Sequence, residues 1–512
     1  MDHPNGESER VTWFLEAACP DHHIRGGPAH VMAQSTAMRL LDRFPAIAKS
    51  SIATAAVCGD VPEVARILAA RPRAAIEKSG GDESRSDPGR PGDLFRNRGP
   101  KGWEPLLYLC FARLPLESVS HNAVVIARML LDHGADPNAY FMAGDSRYTP
   151  LVGVIGEGEE NRPPHPQRDA LVNLLLERGT EPYDMQVVYD LHFHGNMLWF
   201  LKLIHQRSLE LGRKPDWDDP EWTMLDMGGY GSGARWHLDV AVKNDDYELA
   251  DWLLTHGANP NASPARDRRF PQRSLYEEAM LRGHLQIAEL LVEHGAVRTD
   301  AVLGDGELFA RACLSLDADS ARAHLAEHPG YLTATEPLFT ASRRDRRDVV
   351  SLLLDLGMSP DTENEYGERA LHIAAYHNAL AVAKLLIDRG ADADAVEKHW
   401  GNTPLGGAIY HQHQEMIDLL SHYSRDVVEL AFAGKIDRLR EVLTESPDIA
   451  RQGRTPLMWL PPEDESLAMR VAELLIDHGA DPSFRDREGM TAADRAERLA
   501  MFNVAELLRR YS

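Results

Sequence analysis

The sequence predicts an all-α solenoid, a stack of about twelve helix pairs joined by short hairpin-like turns. Three observations predict it: a recurring leucine-rich ending, a recurring helix start, and a glycine or proline stop at the same place in each unit. The ending reads Leu-Leu or Leu-Ile, two or three residues, glycine and, at six of the seven places, a small residue; it stands at 130–138, 175–182, 253–261, 290–296, 353–360, 386–392 and 475–482. Self-similar units of this size stack one on the next.

The first helix of a unit begins with a hydroxyl residue and a proline. Residues 149–151, 403–405 and 455–457 all read Thr-Pro-Leu, with threonine at the N-cap and proline at the first helical position. Proline is tolerated there because that N–H has no partner within the helix and its fixed φ suits the helix. Residues 370–375 repeat this start without the proline.

The second helix of each unit stops at glycine or at proline. Glycine at that place predicts a C′ residue with positive φ. Proline, which cannot continue a helix, replaces it at Pro45, Pro72, Pro329 and Pro447. The first pair, Val11 to Arg43, departs most from the pattern and is predicted to be an N-terminal cap. The last pair, Thr491 to Arg510, carries charges outward as a C-terminal cap must.

These starts and stops resemble the ankyrin repeat, whose signature is Thr-Pro-Leu-His-x-Ala with a period of 33 residues. Gly357 and Gly390 are 33 residues apart, and His372 matches the motif histidine. Other spacings are longer, so insertions interrupt the array. The resemblance implies a binding scaffold without chemistry, which recognises proteins by its turn tips and concave face. Departures such as Glu104 and Glu336 in place of threonine predict local irregularity.

Six segments follow from this pattern. We predict N-terminal capping helix pairs, a flexible inter-repeat loop, ankyrin-like repeats, an insertion rich in tryptophan and glycine, further repeats and a C-terminal capping repeat. They span residues 1–76, 77–102, 103–204, 205–233, 234–484 and 485–512, in that order.

Composition narrows the classes of partner. The formal net charge is −24, from 55 Lys+Arg against 79 Asp+Glu, which argues against a nucleic-acid binder because phosphates require a basic face. The four cysteines form no Cys-x-x-Cys pair and indicate a reducing compartment. The first residues lack the order of a signal peptide, and no apolar stretch is long enough for a membrane span. We therefore expect a cytoplasmic protein without membrane or nucleic-acid partners, although an exported effector stays open.

Polar and aromatic residues recur at the end of the first helix of successive units. In the ankyrin family this end lines the concave binding face, so the resemblance implies a partner-binding ladder of His194, Asn244, Arg282, Arg344, Tyr376, His377, Tyr410 and His411. The last four would form an aromatic–imidazole platform. Arg282 and Arg344 would form a positive stripe that suits an acidic, carboxylate-bearing partner. The alternative is that these residues are ordinary solvated helix ends.

The insertion suggests a second interpretation. Four of the nine tryptophans lie within 183–238, so we expect this segment to fold back and roof part of the concave face. A water-excluding aromatic roof with a few polar groups suits an enzyme or small-molecule binder. Its pocket would lie between the groove and residues 205–235 and would use Trp199, Asp226, Tyr230, Trp236 and Asp239.

No sequence pattern is specific enough to predict a cofactor or metal site. The glycines of 228–233 lack the order of a phosphate-binding loop, and no strand precedes them. Asp190 and His194 are spaced i,i+4 on one predicted helix but lack a visible third ligand. We predict no cofactor, no metal and no catalytic residues, and lean towards a protein that is not an enzyme.

Overall fold

The computed structural model describes residues 6–19, 29–79, 102–143, 146–156, 162–194, 197–212, 234–263, 273–299, 304–451, 455–487 and 489–512. These residues are mostly helical, as the sequence predicts. They form two compact units, the first from residues 1–180 together with 405–512 and the second from residues 181–404.

The first unit contains two runs of paired helices. The N-terminal run is α1 (Glu7–Ala18), α2 (Ala29–Arg43), α3 (Ile52–Val57), α4 (Val61–Ala70), α5 (Pro105–Phe111), α6 (Glu117–Asp132), α7 (Pro150–Ile155) and α8 (Arg168–Glu177). A hairpin of β1 (Phe141–Ala143) and β2 (Ser146–Tyr148) precedes α7. The indole of Trp103 stacks on Phe141 at 4.2 Å, so the hairpin packs against the start of α5.

The second unit is a continuous run of paired helices. In the described residues these are α9 (Met185–His194), α10 (Met197–Glu210), α11 (Arg235–Asn244), α12 (Tyr247–Thr255), α13 (Leu275–Leu281), α14 (Leu285–Glu293), α15 (Asp305–Leu314), α16 (Ala318–Glu327), α17 (Thr335–Arg343), α18 (Arg347–Asp355), α19 (Ala370–Tyr376) and α20 (Leu380–Asp388). The C-terminal run of the first unit follows, with α21 (Pro404–Tyr410), α22 (Gln414–Ser421), α23 (Val427–Phe432), α24 (Ile436–Glu445), α25 (Glu465–Asp477), α26 (Ala492–Arg498) and α27 (Phe502–Tyr511).

The helix boundaries follow the local sequence signals. The Thr149 hydroxyl accepts from the backbone N–H of Val152 at the start of α7. The glycines that end the second helices have positive φ, such as +87° at Gly390 and +103° at Gly357. The proline endings behave differently, because each continues as a short 3-10 helix that begins at the proline: Pro45–Lys49, Pro72–Ile76, Pro329–Thr333 and Pro447–Arg451.

One predicted helix start forms only a single turn. Thr455 is followed by the 3-10 helix Pro456–Met458, and the next helix is α25. Pro461 and Pro462 come directly after Leu460, and a proline disfavours α geometry in the residue before it. The unit at 455–477 therefore relies on the second helix, α25, for its packing.

First helices pack on first helices and second helices on second helices of neighbouring pairs. In the first unit α3, α5 and α7 stack in this order, and in the second unit α17 packs on α19 and α18 on α20. Leu338, Ala374 and Leu386 are among the fully buried side chains of these contacts. Each interface buries its own apolar strip, which is how a repeat array stabilises a long chain without a single core.

The two terminal helix pairs, which the sequence predicts as caps, contact each other in the first unit. The rings of Trp13 and Phe502 meet edge to face at 6.3 Å. The Thr36 hydroxyl donates to the Leu499 carbonyl at 3.2 Å. Arg39 donates to the same carbonyl through Nε at 2.9 Å and Nη2 at 2.7 Å, and to Pro462 O through Nη1 at 2.6 Å. We call these contacts the Arg39 clasp.

Two predicted irregular segments lie mainly outside the described residues. Of the loop at 77–102, the structure describes only the ends, where the Gly102 N–H donates to Ser79 O and the Ser79 N–H donates to Trp103 O, both at 3.1 Å. Of the insertion at 205–233, it describes residues 205–212, in which α10 continues to Glu210. The predicted roof over the concave face therefore remains a prediction.

Candidate functional site

The ladder residues all lie at the end of a first helix. In the second unit His194, Asn244 and Tyr376 are the last residues of α9, α11 and α19, while Arg282, Arg344 and His377 follow α13, α17 and α19. In the first unit Tyr410 ends α21 and His411 follows it. The side chain of His194 lies outside the description.

Arg344 joins three helix ends of the second unit. Its guanidinium donates to His284 Nε2 at 2.6 Å and also to the backbone carbonyl of Lys243. The Nδ1 of His284 lies 2.7 Å from the Val242 carbonyl, which can only accept, so Nδ1 carries the proton. The ends of α11 and α17 and the start of α14 are thereby held together.

Burial and neighbouring positive charge lower the pKa values of His284 and Arg344. Burial and then the Arg344 guanidinium lower the pKa of His284, so the imidazole is neutral and accepts from Arg344. Burial and then Arg282 lower the pKa of Arg344, which nevertheless stays a cation at neutral pH. Arg282 itself lies 3.4 Å from a carboxylate oxygen of Glu278, a buried acid. Arg344 is thus bonded to neighbouring helix ends, and Glu278 offsets the charge of Arg282.

The aromatic and imidazole ladder residues differ in exposure. Tyr376 is half-buried, and burial, followed by Glu368 and Glu397, raises the pKa of its hydroxyl. His377 is exposed. In the first unit the Tyr410 and His411 rings meet at 4.9 Å, and His411 stacks on His413 at 5.5 Å. Each of the two compact units therefore has a tyrosine followed by a histidine at the end of a first helix, Tyr376–His377 in the second and Tyr410–His411 in the first.

The alternative pocket is only partly within the description. Asp226 and Tyr230 lie outside it, and Trp199 packs next to Phe200. Trp236 is buried and meets the His192 ring edge to face at 5.0 Å. Asp239 pairs with Arg235 at 3.0 Å.

Arg235 explains why Asp239 is an acid. The Arg235 side chain is almost fully buried and also donates to Ala262 O at 3.0 Å and Arg273 O at 2.7 Å. Asp239 supplies the compensating charge that a buried guanidinium requires. Asp239 thus has a structural role, and its carboxylate is already paired with Arg235.

His237 was not singled out from the sequence. It is fully buried in the first turn of α11, and neither ring nitrogen has a hydrogen-bond partner in the described residues. Burial, and secondarily His192, lowers the pKa of His237 to about 3. The imidazole is neutral at physiological pH and serves as a core side chain.

Two exposed aromatic residues at neighbouring turn tips were not predicted from the sequence. Tyr366 is 50% exposed and Trp400 is 69% exposed, with His399 between them at 6.0 Å from Tyr366 and 4.6 Å from Trp400, ring centre to ring centre. Trp400 stands three residues before the Thr403 helix start, a position that the repeat pattern assigns to a solvent-facing turn. A tryptophan at such a position was the available signal.

The described residues offer little for metal or membrane chemistry. They include no group of three or more His, Cys, Asp or Glu side chains that is arranged to hold a metal ion. None of their helices combines the length and apolar character that crossing a bilayer requires. A shallow groove of about 560 Å³ between α12 and α14 is lined by Tyr247, Leu285, Gln286, Glu289, Leu290 and Glu293, which belong neither to the ladder nor to the alternative pocket.

The motif histidine links one repeat to the next turn. His372 Nδ1 accepts from the Arg369 N–H at 3.2 Å, and its Nε2 lies 2.9 Å from the Ala395 carbonyl. The side chain thus ties the start of α19 to the turn after α20.

Comparisons with known proteins identify the repeat. Residues 310–397 and 338–431 match the family described as Ankyrin repeats (3 copies). The Ankyrin repeat and KH domain-containing protein mask-1 of Caenorhabditis elegans is 23% identical over 433 residues, which is 77% of this chain and 15% of that protein.

Shorter similarities extend to two other proteins. An ankyrin repeat-containing protein of Schizosaccharomyces pombe is 28% identical over 23% of this chain and 56% of its own length. The Potassium channel GORK of Arabidopsis thaliana is 29% identical over 28% of this chain and 19% of its own length. The chain thus spans only part of each of these relatives. With the helix pairs, glycine stops and motif histidine described above, these matches show that the chain contains ankyrin repeats.

Proposed function

We propose that this protein is a non-catalytic scaffold that binds a protein partner through the concave face formed by the ladder residues and through its turn tips. The observation that carries the proposal is the Arg344 bridge. By joining Lys243 O and His284, it fixes neighbouring helix ends into one polar surface. A rigid surface loses little conformational entropy when a partner binds.

The partner in this proposal presents carboxylates to the ladder. Arg344 lies close enough to Arg282 for the charge of Arg282 to act on its guanidinium, and the protein as a whole is acidic. The Arg344 cation, on a protein of net charge −24, favours one orientation of an approaching acidic patch. Because such contacts are screened by salt, binding is expected to weaken as ionic strength rises.

We place this scaffold in the cytoplasm. All four cysteines are free and buried. Burial raises the pKa of Cys58, Cys110 and Cys313 to about 12, so these thiols stay protonated and unreactive. Buried reduced thiols suit a compartment that maintains them.

Affinity purification from a lysate of the native host tests the proposal. The parent chain is compared with Arg344→Gln, with His377→Ala and with Arg322→Gln as a control, since Arg322 is an exposed cation on α16 away from the helix ends. We expect one partner to be retained by the parent and the control and depleted by both ladder variants. His377 is exposed, so its variant separates loss of binding from loss of folding.

Two outcomes would contradict the proposal. A partner retained equally by all four proteins would remove the ladder from the interface. A small molecule that co-purifies with the parent chain, without any protein partner, would replace the scaffold with the pocket between the groove and residues 205–235.

A further inference from the structure

The two exposed aromatic tips of the second unit are held in fixed positions. The turn at 397–402 is organised by the buried Glu397 carboxylate, which accepts from the backbone N–H groups of His399 at 2.5 Å, Trp400 at 2.8 Å and Asn402 at 3.0 Å. Gly401 has a φ of +72°, which lets the chain turn directly after Trp400. The indole is therefore presented to solvent from a rigid backbone.

The preceding tip is equally ordered. The Asn364 side-chain oxygen accepts from the N–H groups of Tyr366 and Glu368, each at 3.0 Å. The two tips are joined by the Lys398 N–H, which donates to Tyr366 O at 2.7 Å. The Lys398 side chain runs over Gly367 and ends 3.3 Å from Glu363, so its charge is already paired.

Carboxylates are concentrated in the chain next to Tyr366. Residues 361–368 contain four acids and no cation, and Glu365 next to Tyr366 is exposed. Arg369 is shared among Asp361 at 3.2 Å, Asp392 at 3.4 Å and Glu363 at 3.8 Å. Arg369 and Lys398 carry two positive charges against the five carboxylates of Asp361, Glu363, Glu365, Glu368 and Asp392, so the surface stays negative.

We propose that the tips of 363–369 and 397–402 form a docking site for a cationic segment of a partner protein. An arginine or lysine of that segment lies over the Trp400 ring, and the carboxylates around Tyr366 receive its neighbouring cations. Tryptophan is the best aromatic partner for a cation, and tryptophan, tyrosine and arginine dominate interface binding energy. A turn whose backbone is already ordered loses little entropy on binding. The inference rests on the proposed scaffold function and gives the turn tips a partner chemistry.

Selection from a random dodecapeptide library displayed on phage, with the intact chain immobilised, tests this inference. We expect enriched peptides to carry arginine or lysine beside an apolar residue. Their dissociation constants are then measured by fluorescence anisotropy for the parent, Trp400→Ala, Glu365→Gln and Tyr511→Ala. Tyr511 is a matched control, because it is 56% exposed and lies on α27 in the first unit.

The expected pattern is specific to the tips. Trp400→Ala weakens cationic peptides about tenfold and Glu365→Gln about twofold, whereas Tyr511→Ala leaves binding unchanged. Glu397→Gln tests positioning, since an amide cannot accept as a carboxylate does. Glu397→Gln is expected to weaken binding of the same peptides although Trp400 is still present. It is also expected to speed amide hydrogen exchange at residues 399–402.

Several results would contradict the tip site or both proposals. Cationic peptides that bind Trp400→Ala as tightly as the parent, or an enriched set without cations, would overturn the inference. Peptides that lose binding to Arg344→Gln but not to Trp400→Ala would refute the tip site while leaving the scaffold function intact. If no peptide is enriched and no partner protein is found by affinity purification, both proposals fail together.

Discussion

Two buried histidines of this chain differ in whether their ring nitrogens are used. His372 bonds on both sides to the backbone, whereas His237 has no described partner for either nitrogen. Unmet buried polar atoms lower stability, while removing a bonded group leaves its partners unmet. The same substitution therefore has opposite consequences at the two sites.

We expect His237→Leu to raise the free energy of unfolding by about 1 kcal/mol, because it removes two unbonded polar atoms from the core. His372→Leu, the matched control, is expected to lower it by about 2 kcal/mol, because the Arg369 N–H and Ala395 O lose their partner. Urea denaturation followed by circular dichroism measures both. Equal destabilisation by the two variants would show that His237 makes a polar contact.

Buried neutral histidines also make stability depend on pH. Burial lowers the pKa of both His165 and His237 to about 3. Below the unfolded pKa of about 6.5 the unfolded chain binds protons that the folded chain does not. The free energy of unfolding is therefore expected to fall on acidification from pH 6.5 towards pH 3, by about 1.4 kcal/mol per pH unit for each histidine.

Denaturant titrations between pH 7.5 and 5 give the slope before carboxylates titrate. His237→Leu should reduce the slope by the contribution of one proton. A slope that the substitution leaves unchanged would mean that His237 is protonated in the folded chain.

At the scale of the element, two glycines show two different reasons why a larger side chain is excluded. One is an unfavourable backbone conformation and the other is a lack of space. Gly390 ends α20 with a φ of +87°, and a Cβ there would meet nothing within 4 Å. Gly59 lies between α3 and α4 with a φ of +70°, and a Cβ there would lie 2.5 Å from the Ser118 carbonyl carbon of α6. The first site excludes side chains by conformation alone, and the second by conformation and by contact with a neighbouring repeat.

We expect Gly390→Ala to destabilise the protein by about 1 kcal/mol and Gly59→Ala by about 3 kcal/mol or more. Thermal unfolding of the two variants beside the parent measures the difference. Equal shifts in the melting temperature would mean that α3 and α6 are not closely packed at Gly59.

The same elements show how far the sequence predicts the structure. Gly357 and Gly390 reveal helix ends and positive φ because those signals are local and repeat at a fixed spacing. The Glu397 carboxylate cap and the Arg344 bridge are not visible in this way, because each depends on side-chain directions in a folded neighbour. The repeat register predicts that the ladder residues lie at helix ends. It does not predict that Arg282 pairs with Glu278, or that Tyr376 is more buried than His377.

At the scale of the whole molecule, the Arg39 clasp joins helix pairs that the sequence treats as separate ends. Arg39 bonds to Leu499 and Pro462, and burial lowers its pKa to about 10, which leaves it charged at neutral pH. Nothing local in the sequence relates residues separated by 460 positions.

We expect Arg39→Ala to lower the free energy of unfolding by about 2–4 kcal/mol, because two backbone carbonyls lose a charged donor. The control Arg71→Ala removes an exposed ion pair with Glu77 and should change it by less than about 1 kcal/mol. Hydrogen exchange locates the effect, with faster exchange expected at 492–511 in Arg39→Ala alone. Exchange at these helices that matches the parent would show that the clasp adds nothing to their stability.

The clasp also sets an order of events during synthesis. Leu499 is made 460 residues after Arg39, so at 5–20 residues per second the face of α2 waits about 20–90 s for its partner. During that interval neighbouring repeats can fold one after another, but Thr36 and Arg39 remain without the carbonyls they bond in the finished protein. The contacts on this face of α2 are therefore completed only after residue 499 has left the ribosome.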